Sequence, residues 1–192
     1  MSYPANPLAS YRSYSYYHVL AICNSSETAY ELSKITSTDV WAHATDNGIL
    51  GPYSPKKLSV DASKQDMEYC ILINGSSDAS YVITKASWNS STAAGATPND
   101  RYTSVAVEGS ITISEPKGIM FLDQTIQCCK ALGVDSASAT FVLKTFFIGY
   151  GYEPSVGEFV DVLSDIPPLQ FVATLVTGAF TEAGGEYVMN LS

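Results

Sequence analysis

The sequence predicts an α+β, β-rich domain: a mostly antiparallel sheet or sandwich with one or two covering helices and an extended N-terminal arm. Three observations carry that expectation. Along Val105, Val107, Ile111 and Ile113, apolar residues alternate with Ser104, Glu108, Ser110, Thr112 and Ser114, the period of a strand with one wet face. From Pro167 to Ser192, two apolar segments, Leu169 to Phe180 and Tyr187 to Leu191, flank an Ala183-Gly184-Gly185 bend. That is the pattern of a β-hairpin with a loop of about three to five residues. Finally, 46% hydrophobic against 15% charged residues, with 13 Tyr, 25 Ser and 15 Thr, favours strands and turns over long charged helices.

At 192 residues the chain can bury a core without staples, and it reads as one domain over 16–192 preceded by an arm over 1–15. The arm holds Pro4 and Pro7 and has no hydrophobic period, so it is expected to be extended. Tyrosine supplies contact area with a polar tip, which makes Tyr3, Pro4, Pro7, Tyr11 and Tyr14 the candidate partner contacts. The competing reading is that these rings cover the domain's own edge.

The run from Tyr16 to Cys23 reads as a buried strand. Asn24 is then expected to cap a helix reaching Ile35, with Glu27 placed for a capping box and Ala29, Leu32 and Ile35 as its apolar side. Residues 36–59 carry turn signals and read as a long structured loop. Glu68 to Ile73 is a short strand ended by Asn74-Gly75, and Tyr81 to Trp88 is expected to pair with it. Residues 90–100 are small and polar and predict a surface loop.

Glu115-Pro116-Lys117-Gly118 breaks the alternating strand and opens a helix from Gly118 to Leu132. Ile119, Leu122, Ile126, Cys129 and Leu132 form its expected apolar face, and Gly133 its stop. Thr140 to Gly149 is the most strand-like decamer of the chain. In the closing hairpin Leu169, Phe171, Ala173 and Leu175 share one face with Tyr187, Met189 and Leu191 on the other arm. The second face, Val172, Thr174 and Val176, is a candidate edge-strand contact. The apolar ending at Leu191-Ser192 fits either a strand that seals the domain or a chain that continues.

A net charge of −9 opposes a phosphate backbone, so nucleic acid is not an expected partner. No apolar run approaches the roughly 18 residues that span a bilayer, and no signal segment is evident, so a soluble product of the cytoplasm is expected. Cys23, Cys70, Cys128 and Cys129 are too scattered for a metal knuckle and read as buried thiols. Asp161, Asp165, Glu182 and Glu186 lack calcium-loop spacing. No metal or cofactor is expected. Four Asn-x-Ser/Thr patterns, at Asn24, Asn74, Asn89 and Asn190, fit chance in so Ser- and Thr-rich a chain.

His18 lies in an apolar strand and reads as a core or edge histidine. His43, with Asp39 and Asp46 near it and Trp41 beside it, is the one set that could build a loop-based enzyme site. Serine is abundant, but the Gly-x-Ser-x-Gly elbow is missing. The expectation is therefore of a protein that is not an enzyme.

Three segments, NPLASYRSYSYYHVLAIC, SETAYELSKI and PLQFVATLVTGAFTEAGGEY, resemble segments of tailed-bacteriophage virion proteins of the tail, baseplate or portal-vertex region. The resemblance implies a structural, oligomeric assembly protein of the virion, made in the host cytoplasm and working through multivalent contacts with other subunits. It carries over no catalytic residue. A carbohydrate-binding β-sandwich, presenting aromatics and carboxylates in one groove, is the alternative of a different class.

Overall fold

The computed structural model describes residues 7–35, 37–42, 53–59, 66–77, 80–93, 104–151, 157–160 and 168–192. The fold is β-rich α+β. Its strands are β1 (Ser13–Cys23), β2 (Lys56–Lys57), β3 (Glu68–Asn74), β4 (Val82–Ala93), β5 (Ser104–Glu115), β6 (Thr140–Tyr150), β7 (Gly157–Val160), β8 (Leu169–Thr181) and β9 (Gly184–Leu191). The helices are α1 (Ser26–Ser33) and α2 (Phe121–Ala131), with a 3-10 turn over Pro7–Ser10. Nine strands make one open sheet in the order β2-β3-β1-β6-β8-β9-β5-β4, with β7 added on β6. Every pairing among the described residues is antiparallel.

The sheet is organised around β6. Its continuous apolar run, TFVLKTFFIGY, suits a strand covered on both faces. It pairs with β1 from Ser13↔Tyr150 to Cys23↔Thr140, with β8 over Thr140 to Leu143, and with β7 over Phe147 to Tyr150. Alternate residues then go to opposite cores. On one face Leu20, Ile22, Cys70, Leu72 and Phe141 pack with α2 and with Ile111, Ile113, Tyr187, Met189 and Leu191 of the far strands. On the other, Val19, Ala21, Ile71, Val142 and Phe146 pack with Ala29 and Leu32 of α1 and with Trp41.

The strand β8 joins the two halves, pairing first with β6 and from Ala173 onward with β9. Its register shifts between Ala173 and Leu175, and this bulge reverses the face of everything after it. Leu175 therefore stands outward and 54% exposed instead of joining Phe171, while Val176 turns to the core. Thr181 pairs directly with Gly184, so the hairpin closes more tightly than the expected loop. Gly184 holds φ +121, and a Cβ there would collide with the carbonyl oxygen of Glu115.

Four further expectations are corrected. Strand β4 does not pair with β3: the 12-residue β4 finds a 12-residue partner in β5, and β3 sits between β2 and β1. Asn74-Gly75 instead turns the chain beside β1, with Gly75 N donating to the His18 carbonyl. The cap of α1 is Ser25 and not Asn24; its hydroxyl accepts from Thr28 N at 3.0 Å. Glu27 is thereby one residue too early to close a capping box.

The helix α2 is phased by Phe121, which meets the rings of Tyr81 and Tyr187. Its buried face is Phe121, Thr125, Cys128 and Cys129, whereas Ile119 and Ile126 are exposed. Gly133, at φ +68, ends it as expected. Lastly, residues 7–15 do not form an extended arm: Pro7–Ser10 makes the 3-10 turn and β1 starts at Ser13, while residues 1–6 lie outside the described residues.

Candidate functional site

Strand β1 changes character along its length. Tyr14, Tyr16, His18, Leu20 and Ile22 share one face by strand alternation. Leu20 and Ile22 are fully buried beneath α2 and the far strands, but Tyr14 and Tyr16 are 55% and 60% exposed. Register with β6 sets Phe147 opposite Tyr16 and Gly149 opposite Tyr14. The Phe147 ring lies 6.1 Å from both tyrosine rings, and Tyr16 meets His18 edge-on at 5.5 Å. Four aromatic side chains thus occupy one sheet face.

Tyr11 extends this face. Its ring lies over Gly149, where any Cβ would strike it, and its hydroxyl donates to Glu158 Oε2 at 3.1 Å. Glu158 pairs with Gly149 across β7 and β6. The bond to Glu158 holds the Tyr11 phenol above its usual range. His18 Nδ1 and Thr145 Oγ1 are hydrogen-bonded at 2.8 Å, and burial keeps the imidazole below its ordinary pKa. Ser15 Oγ and Tyr150 OH engage each other at 3.2 Å on the opposite face. Tyr11, His18 and Ser15 thus have partners within this region, and Tyr14 and Tyr16 are the large side chains it leaves more than half exposed.

Beside Tyr16 and His18, between β1, the end of β3 and the start of β4, lies a cleft of about 140 Å³. Tyr17, Ile73, Tyr81 and Ile83 complete most of its wall. A neutral imidazole among phenols and aliphatics suits stacking and single hydrogen bonds.

Of the residues singled out from sequence, Tyr3, Pro4, His43 and Asp46 lie outside the described residues. Pro7 opens the 3-10 turn. Tyr11 and Tyr14 lie on the same aromatic face, Tyr11 over Gly149 and Tyr14 beside Phe147 but 55% exposed. Val172, Thr174 and Val176 do not share one face, and their strand is paired with β6 and β9: Val172 pairs with Thr140 and bonds through its backbone to Ser192, Thr174 Oγ1 donates to the Asn190 carbonyl, and Val176 faces inward. Asp39 offers its carbonyl to Lys56 Nζ at 3.1 Å.

Sequence reasoning missed Phe147 and Glu158, and it read Tyr16 as the start of a buried strand, where the residue is 60% exposed. The signal for Tyr16 was its parity with Leu20 and Ile22; Phe147 and Glu158 join only through pairing across strands. Among the described residues no cluster of His, Cys, Asp or Glu could hold a metal ion, and no helix is long and apolar enough to cross a membrane. No protein-family model, curated protein or solved structure matches the chain.

Proposed function

We propose that this protein is a non-enzymatic structural subunit of a tailed-phage virion, in the tail or baseplate, acting through multivalent contacts with neighbouring subunits. The resemblance of its two ends to such proteins motivates the reading. The observation that carries it is the aromatic face itself: Tyr14 and Tyr16 stand more than half exposed on a regular, paired strand whose continuation is fully buried. Large rings held rigidly toward water gain from being covered by a partner, and they do so at small entropic cost. Leu175 and Phe180, exposed on β8, add apolar surface elsewhere on the sheet.

The test is incorporation. In density-gradient-purified particles from cells producing this chain, mass spectrometry should find it at a fixed ratio to the other virion proteins. A Tyr14→Ser/Tyr16→Ser variant should fold with an unchanged melting temperature and drop out of the particle. Finding the wild-type chain only in the particle-free fractions would sink the proposal.

One observation favours a second reading. Tyr11, Tyr14, Tyr16 and Phe147 on one face with Glu158 beside them is an arrangement able to stack sugar rings, so the sheet could serve as a carbohydrate-binding surface. Glycan-array binding lost in the same double variant, together with absence from particles, would decide for it.

A further inference from the structure

Strand β3 and helix α2 meet in the core through two thiols. Cys70 Sγ lies 2.9 Å from Cys128 Sγ, and both residues are fully buried. The carbonyl oxygen of Tyr53 accepts from both sulfurs, from Cys128 at 3.2 Å, so one backbone group holds the two side chains turned toward each other. The gap exceeds a covalent sulfur–sulfur bond of about 2.05 Å by less than about 1 Å. The other two thiols are placed differently. Cys129 follows Cys128 on the helix and shares the same core, whereas Cys23 sits on the opposite face of the sheet among the residues beneath α1.

We infer that Cys70 and Cys128 form a specific disulfide, tying β3 to α2, when the chain folds in an oxidising medium. The oxidant is a low-molecular-weight disulfide. One thiolate attacks it and expels a first thiolate, leaving a mixed disulfide on the protein. The second cysteine then attacks the protein-bound sulfur, the Cys70–Cys128 bond forms, and a second thiolate leaves. The two cysteine protons end on the two departing thiols, so one disulfide is reduced for each one made. In a reducing cytosol the pair stays as thiols.

The surroundings say when this happens. Hydrogen bonding to Cys128 and burial push the Cys70 thiol far above its ordinary pKa, so the attacking thiolate is scarce once the core has closed. Exchange therefore belongs to folding, before α2 docks. The inference is independent of the proposed function, since it rests on the core alone.

The full-length chain, reduced and denatured, would be refolded in a mixture of oxidised and reduced glutathione, alkylated and mapped by mass spectrometry. The expected product links Cys70 to Cys128 and carries alkyl groups on Cys23 and Cys129. Its melting temperature should exceed that of the reduced protein by roughly 4–16 °C. Cys129→Ser should keep the link, and Cys128→Ser should lose it. Four alkylated cysteines in the folded wild-type protein, or a dominant link through Cys129 or Cys23, overturns the inference.

Discussion

The two helices are anchored in opposite ways. At the start of α1 the cap is local: Ser25, the residue before the helix, accepts from Thr28 N, and Asn24 Oδ1 accepts from the Thr28 hydroxyl at 2.6 Å. No side-chain cap comes from Met120 at the start of α2. Its first donors go instead to Glu115, the inward-facing last residue of β5, with Met120 N on Oε1 at 2.9 Å and Phe121 N on Oε2 at 3.0 Å. The hydroxyl of Tyr187, from β9, donates to the same Oε2 at 3.0 Å. One buried carboxylate joins β5, β9 and α2, and Gly118 leaves it room, since a Cβ there would strike its Oε1.

A buried charge of the other sign serves the α1 side. Lys144, on β6, donates to the Ile35 carbonyl just past the end of α1 and lies 5.1 Å from the Trp41 ring centre. Each helix thus has, at the end near the core, the charge its dipole favours: negative at the start of α2 and positive at the end of α1. The contrast teaches which ends need the tertiary structure. The start of α1 has a serine in its own sequence and is exposed to water; the start of α2 lies over the core and takes its acceptor from a strand.

The contrast can be broken at Glu115. Replacing it by alanine strands two helix N–H groups and a buried phenol, and Glu115→Ala should destabilise the protein by about 3 kcal/mol, read as a lowered urea midpoint. A loss no larger than that of an ordinary cap would show that water replaces the carboxylate.

A smaller loss, about 1.5 kcal/mol, is expected for Tyr187→Phe, which removes one hydrogen bond to a charged group. This one depends on pH. Burial and then Glu115 push the Tyr187 phenol from 10.0 up to about 12. With the folded value raised, the contribution is complete below pH 10 and is lost as pH climbs toward 12. The stability gap between wild type and variant should therefore narrow over that range, and a gap that stays constant would contradict the assignment. Least affected should be Ser25→Ala, at about 1 kcal/mol, confined to α1 and visible as faster amide exchange over its first turn.

Much of the fold is legible in the sequence because it depends on nearest neighbours along a strand. Ile111 and Ile113, and Tyr187, Met189 and Leu191, are buried where alternation predicts, and Gly133 stops α2. Less of the candidate site is legible. Tyr11 and Tyr14 stand out by composition, but nothing local tells that Tyr16 will meet Phe147 or that Tyr11 will find Glu158. Two of the errors share one origin: a single shift in register or phase. The bulge after Ala173 reverses Leu175 and Val176, and Phe121 turns α2 away from the face that Ile119 and Ile126 suggest.

By itself the sequence determined the β-rich class, the positions of β1, β3, β5, β6 and β9, and a net charge of −9. Alternation and charge are local or additive properties, and they survive without knowledge of partners. Only the tertiary structure decided that β4 belongs to β5, that Glu115 faces inward to hold a helix, and that Cys70 meets Cys128. Each of these brings together groups from separate elements, and a buried charge or thiol takes its role from the groups the fold sets against it.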